Sequence, residues 1–351
     1  MSRKYNKGEW AEFYAFSKIL ESGRLYAADE DMQKIPEIYY TILSAIKNDI
    51  EYHRNNDKDS VTFKINNQII SIPISEFEIV NNKLFPTIKS SSSTFTIPEL
   101  NSFIDKLSLD SIKENNQSKG DISLKIHDDY TGYEPTLSFS IKSYVGSNPT
   151  LLNASNGTVI TYETSGNLTE ANIAEINSIE GRGKIINRIN RIKELGSKLN
   201  YKNINATIFK ENLQMIDYRL PIIISEIFLE SYFVRGKKIP DVVDSYLNKN
   251  PDENPRIIKY KIKEFLVAIA LGMVPLTEWS GLDEANGGYI VVKDDSEVLC
   301  YHIYERNKLK QYLYNNTKFD TPSTGRTNAG LLLKNERDNS IEFNLTMQIR
   351  F

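Results

Sequence analysis

Residues 120–146 read GDISLKIHDDYTGYEPTLSFSIKSYVG, and this stretch decides the fold. Ile122, Leu124 and Ile126 alternate with Ser123, Lys125 and His127, and Leu137, Phe139 and Ile141 alternate with Ser138, Ser140 and Lys142. A period of two marks strands with one buried face. The nine residues between them, HDDYTGYEP, are rich in turn formers, so the pair reads as a β-hairpin. A turn centred near Thr131-Gly132 places Asp121 roughly opposite Ile141, close to both Ser140 and Lys142, which share a face. A carboxylate that opens one strand and faces Ser-x-Lys on the next can hold a divalent metal beside a nucleophilic water.

Outward from the hairpin, residues 6–22 read as an amphipathic helix with Asn6 at its N-cap and Glu9 at the capping-box position. Glu9 and Glu12 lie three apart on nearly one face, and each has a bland reading, as a cap and as a solvated charge. Residues 36–52 carry Ile38, Ile42, Leu43, Ile46 and Ile50 and read as a second amphipathic helix. Residues 61–74 read as two short strands about Asn66-Asn67. The polar loop 147–158 offers Asn153 and Ser155 to a phosphate backbone, or is an ordinary surface loop. Residues 178–203 are the most basic segment, with Arg182, Arg188 and Arg191 beside an isoleucine-rich face. They read as a helix, its charged side either solvated or laid along phosphates. Residues 215–232 and 257–271 read as core helices, and the alternation of Phe343, Leu345, Met347 and Ile349 ties the C-terminus into a sheet.

The composition narrows the function classes. The chain has 351 residues and 40% hydrophobic content, ordinary for a globular protein with a sizeable core. One cysteine, Cys300, excludes an intrachain disulfide and a cysteine zinc cage, and fits a reducing cytoplasm. Three histidines argue against a histidine-rich metal site. No segment is apolar enough to span a bilayer, so no membrane partner is expected. The net charge of −3 does not advertise nucleic acid, although a basic cleft can sit in an acidic protein.

Several pieces together resemble the HpaII family of type II restriction endonucleases. They are KGEWAEFY from Lys7, LYAADE from Leu25, FSIKSYVG from Phe139, TLLNAS from Thr150, YIVVKDDSEVLCYHIYERN from Tyr289, NNTKFDTPSTGR from Asn315 and NLTMQIRF from Asn344. Each is weak alone; their order along the whole chain is specific. The resemblance implies an α+β fold with a PD-(D/E)-x-K-like nuclease core, a mixed sheet flanked by helices, carrying additional helical and β-hairpin recognition regions. It divides the chain into an N-terminal helical and β region at 1–120, a nuclease core at 121–210 and a recognition region at 211–351.

The resemblance also implies Mg²⁺ as cofactor, held by Asp121, the carbonyl of Ile141 and a helix glutamate, Glu9 or Glu12, with Glu163 a weaker third choice. Lys142 would orient or deprotonate the attacking water. The sequence departs from the pattern at Gly120, where a proline is usual, and at Ser140, where the second acid should stand. Ser140 can hold a water but not replace a carboxylate charge. Base reading is expected from Ser323, Thr324, Arg326 and Asn328 in a proline-braced loop. The implied partner is double-stranded DNA, with CCGG as the site of the family's namesake. A homodimer is compatible with this reading, and a cognate DNA methyltransferase belongs to the same system without being a physical partner. Two other functions compete: a non-catalytic DNA-binding protein that lost its acid at Ser140, and a repair or RNA nuclease on the same core.

Overall fold

The computed structural model describes residues 3–113, 120–129, 131–146, 148–166, 168–322 and 329–351. The recognition residues expected at Ser323, Thr324, Arg326 and Asn328 lie outside these. The chain forms two compact units, the first comprising Met1–Pro149, Ala270–Gly272 and Leu282–Tyr312, the second Thr150–Ile269, Met273–Gly281 and Leu313–Phe351. This differs from the three-part division above. The boundary expected at residue 120 falls inside the first unit, because the N-terminal strands and the hairpin belong to one sheet.

The first unit begins with helix α1 (Lys7–Ser22). Asn6 caps it by accepting from the Glu9 N–H, and Gly23 ends it in the left-handed conformation. The strands of the unit's main sheet are β1 (Arg24–Ala28), β2 (Lys34–Lys47), β3 (Ile50–Asn55), β4 (Ser60–Ile65), β5 (Gln68–Pro73), β6 (Ile122–His127), β7 (Thr136–Ser143), β8 (Gly288–Val292) and β9 (Val298–His302). Helix α2 (Ile74–Ser90), which sequence reasoning passed over, follows β5. The sheet order is β1-β9-β8-β7-β6-β2-β3-β4-β5. It is mixed: β7 runs parallel to β8 and antiparallel to β6. The 14-residue β2 pairs with β6 over Thr41–Ile46 and also with β1, so the ladder closes on itself around six strands.

Residues 36–52 are therefore not a helix. They are most of β2 and the start of β3, joined at Asn48-Asp49, whose φ angles of 48° and 63° make the positive-φ turn a tight hairpin needs. The isoleucines four apart satisfy a helical spacing by coincidence, and sheet pairing together with β-branched side chains decides the outcome. The hairpin at Asn66-Asn67 forms as read, with φ of 48° and 64°.

One face of the sheet packs with α1. Trp10, Phe13 and Phe16 join Ala45, Leu124, Phe139, Ile141 and Ile290 in a continuous core. Burying such side chains contributes about 1.5–3 kcal/mol each, and this anchors α1 against β7 and β2.

In the second unit, strands Lys198–Ile204, Val159–Ser165, Ile341–Thr346 and Leu332–Lys334 form an antiparallel sheet in that order. Strands Thr150–Leu152, Gln348–Arg350 and Lys318–Asp320 form another, so the C-terminal strand is tied into a sheet as expected. The basic segment is shorter as a helix than expected, Lys184–Glu194, and its tail becomes the strand from Lys198 after a left-handed Gly196. The apolar segment 215–232 divides into the end of helix Thr207–Ile216 and helix Leu220–Glu230, with Pro221 in the new first turn. Among the described residues, no helix is long and apolar enough to cross a membrane.

Candidate active site

The hairpin register sets the site. Ile122 pairs with Phe139 and Ser123 with Ser138. Asp121 therefore stands level with Ser140, not with Ile141: the turn closes through Asp128 N–H to Tyr133 O, one residue away from the expected register. The Asp121 N–H donates to Phe139 O at 2.8 Å. Its Oδ2 accepts from the Ile141 N–H at 2.6 Å and from Ser140 Oγ at 3.2 Å. Ser140 and Ile141 thus fix the rotamer of Asp121 by direct hydrogen bonds. Ser140, 1% exposed, is a donor to the carboxylate here, a role that an acid at this position could fill only when protonated.

Helix α1 separates the two candidate glutamates. Glu9 Oε2 accepts from the Asn6 N–H at 2.8 Å, completing the capping box, and Lys113 Nζ lies 3.5 Å from its Oε1. Glu12, one turn on, lies in the field of Asp121, Lys142 and Lys47. Burial first, and then the Asp121 charge, push its carboxyl up to about 7 against the opposing pull of Lys142 and Lys47. A glutamate one turn beyond a capping-box acid is ordinarily solvated; this one is drawn into a charged cluster because Phe13 and Phe16 seat the helix on the sheet.

Lys47 is the member that sequence reasoning missed. It ends β2, is 2% exposed, and follows Ala45 by two residues, so it shares the face that α1 covers. The signal was present in the alternation of β2, but the helical reading of 36–52 concealed it. A lysine this buried is rarely found without compensating charge, and Glu12 supplies an acid within electrostatic reach.

Two carboxylates and two ammonium groups therefore converge at one end of the hairpin. Among the described residues no group of three or more His, Cys, Asp or Glu is arranged to hold a metal ion. The pair Asp121 and Glu12 nevertheless fits a hard divalent cation such as Mg²⁺, which uses one or two protein carboxylates and completes its shell with water and substrate phosphate. Burial holds the Glu12 carboxyl high, and a divalent cation beside the pair would offset that cost and the added repulsion from Asp121. Glu163 is placed in the second unit, on Val159–Ser165 opposite Glu342 and Asn200.

The expected DNA contacts fare unevenly. Arg188 is 1% exposed, and its guanidinium is engaged by Ile179 O, Gly330 O, Asn177 O and Glu180 Oε1. It pins chain segments together inside the unit and is not presented to a phosphate, which corrects the reading from charge alone. Arg191 is bound by Glu175 and Glu194, and Lys184 by Glu180, so much of the helix's positive charge is already neutralised. Arg182 is exposed. Ser155 caps the turn Asn156–Thr158, while Asn153 is exposed.

Comparison with known proteins covers nearly the whole chain. A family model described as HpaII restriction endonuclease matches residues 6–351. The Type II restriction enzyme HpaII of Haemophilus parainfluenzae is 40% identical over 359 residues, which cover 99% of this chain and 98% of that protein. No solved structure matches.

Proposed function

Because this chain belongs to the HpaII restriction endonuclease family, whose members are sequence-specific DNA endonucleases, we propose that Asp121, Lys142 and Glu12 form its catalytic centre. The observation that carries this is the coupling of Glu12 to both hairpin residues, which supplies from α1 the carboxylate missing at Ser140. The mixed sheet with its helix then corresponds to a PD-(D/E)-x-K core in which the second acid has migrated from strand to helix.

Mg²⁺ is the proposed cofactor, held by Asp121 and Glu12, with the Ile141 carbonyl as a further oxygen donor. When bound it supplies Lewis-acid neutralisation of charge at the phosphate. The chain's own residues do the rest. Ser140 and the Ile141 N–H hold the Asp121 carboxylate in a single orientation. Lys142 places an ammonium where negative charge grows on the phosphoryl oxygens and orients the attacking water, the kind of preorganised donor worth roughly 3 kcal/mol in a transition state. Glu9 acts at the helix terminus and supports the site by holding α1 in place.

The substrate is double-stranded DNA, cut in the cytoplasm, and CCGG is the site taken from the resemblance. Base reading is assigned to the loop with Ser323, Thr324, Arg326 and Asn328, and nonspecific contact to Asn153 and Arg182. Ser140 is also the observation that favours a non-catalytic DNA-binding protein. Digestion of a fully sequenced phage DNA separates the two: with Mg²⁺ the expected result is a discrete ladder matching CCGG, abolished by EDTA. A ladder at other sites would overturn CCGG alone; uncut DNA under all divalent cations would overturn catalysis.

A further inference from the structure

The second unit carries a row of cations that contradicts several local rules at once. Lys238 bridges Lys318 in an isolated antiparallel pair, and Lys318 stands opposite Arg350 in the adjoining ladder. Residues directly opposite share a face, so three positive side chains line up across neighbouring chain segments about 5 Å apart. The alternate residues Phe319 and Ile349 are buried, so the cationic row lies on the opposite face, with Lys238 exposed and Lys318 and Arg350 half-buried. Like charges facing each other in a ladder are destabilising.

The chain approaches this row unfavourably as well. Lys238 is the N-cap of helix Ile239–Lys249, without a side-chain capping bond, where the helix dipole disfavours a cation. Lys237 just before it has φ 57°, left-handed for a residue with a β-carbon, and follows Gly236 at φ 77°. The pairs Phe319 N–H to Lys237 O and Ile239 N–H to Thr317 O hold the segment there. Arg235 is a further exposed cation, in the turn that precedes Lys238. The carboxylates nearby are Asp241 in the first turn of the helix and Asp320, which lies 3.1 Å from Arg350 Nε without hydrogen-bond alignment. Neither Lys238 nor Lys318 has an ion-pair partner among the described residues. The expected phosphate helix is the opposite case, since Glu175, Glu180 and Glu194 already neutralise it.

Like charges opposed across a ladder and a cation at a helix N-cap are both relieved by an anion, and local conflicts of this kind mark a functional surface. We propose that Lys238, Lys318 and Arg350, with Arg235, form a contact surface for the phosphate backbone of duplex DNA that carries no sequence information. The proposal rests on the double-stranded DNA substrate and is independent of the catalytic assignment. Counterion release makes it measurable, because each neutralised phosphate adds about 0.9 to the slope of log affinity against log salt.

The experiment measures binding of a CCGG duplex and a random duplex in EDTA across a salt series, for the full chain and for Lys238→Gln/Lys318→Gln. The expected slope is shallower by about 1.8, equally for both duplexes, so the affinity lost between about 50 and 200 mM salt shrinks roughly tenfold. Lys238→Arg/Lys318→Arg keeps the original slope, and Lys184→Gln leaves it unchanged. Thermal unfolding of the double glutamine variant is expected at or above the original temperature, since opposed charges have been removed. Should that variant fail to fold, the exposed single variant Lys238→Gln is read instead, with a slope shallower by about 0.9. An unchanged slope in folded variants, or a loss confined to the CCGG duplex, would overturn the proposal. Absence of DNA binding by the unmodified chain would overturn the DNA-binding reading itself.

Discussion

Asp121→Ala and Lys142→Ala are each expected to lower single-turnover cleavage of a cognate duplex by about 10³-fold or more while leaving its binding in EDTA within a few-fold. Asp121 is held by two donors from β7, and its removal deletes a ligand for the proposed cation without touching a base-reading group. Lys142 shares the face of Ser140 two residues along the same strand, so its loss removes the ammonium from the phosphate. The two effects should be strongly non-additive, because both groups serve one transition state. Quantitative cleavage by either variant at the unmodified rate would place the chemistry elsewhere in the chain.

Glu12→Gln is the second large effect, and its signature is a loss of activity with a gain in stability. Burial and Asp121 hold the Glu12 carboxyl at about 7 against an ordinary value of 4.5. A carboxyl raised on folding binds its proton more tightly folded than unfolded. The stability it contributes is complete below 4.5 and is lost as pH rises through about 7. The gap corresponds to about 3 kcal/mol of metal-free stability. Glu12→Gln should therefore be more stable than the unmodified protein at pH 8 in EDTA, with the advantage vanishing near pH 4.5, and should cut orders of magnitude more slowly with Mg²⁺. Glu9→Gln keeps a capping acceptor and should cut normally, while Glu9→Ala loses on the order of 1 kcal/mol. Chemical denaturation across pH together with single-turnover rates checks all three. Normal turnover by Glu12→Gln would remove Glu12 from the site, and parallel losses of rate and stability would make it merely structural.

Local patterns made much of this legible in the sequence. The alternation around residues 122–126 and 137–141 gave the hairpin, and Asn6 with Glu9 gave the helix start, because period and capping act over a few residues. The exact opposition of Asp121 was misplaced by one residue, since register depends on which turn residues close the loop. Lys47 was hidden because isoleucines four apart mimic a helix, and only pairing with β6 and β1 makes that segment a strand. The choice between Glu9 and Glu12 needed the docking of α1, a long-range packing outcome that spacing alone does not contain. Arg188 shows the same limit for charge. Its sequence neighbourhood suggested a phosphate contact, whereas the three carbonyls that engage it come from segments as distant as Gly330. The cationic row is likewise assembled from three separate stretches, each unremarkable in isolation.

The central claim is that the carboxylate absent from the strand is supplied by α1, so that one cation lies between Asp121 and Glu12 beside Lys142. A crystal structure of the unmodified chain with a CCGG duplex and Ca²⁺, a cation of larger shell that commonly leaves the duplex uncut, tests it directly. The expected result is a Ca²⁺ ligated by the Asp121 and Glu12 carboxylates, with a backbone phosphate within hydrogen-bond reach of Lys142 Nζ. A cation and phosphate bound away from these three side chains, or a site completed by Glu9 with Glu12 uninvolved, would contradict it.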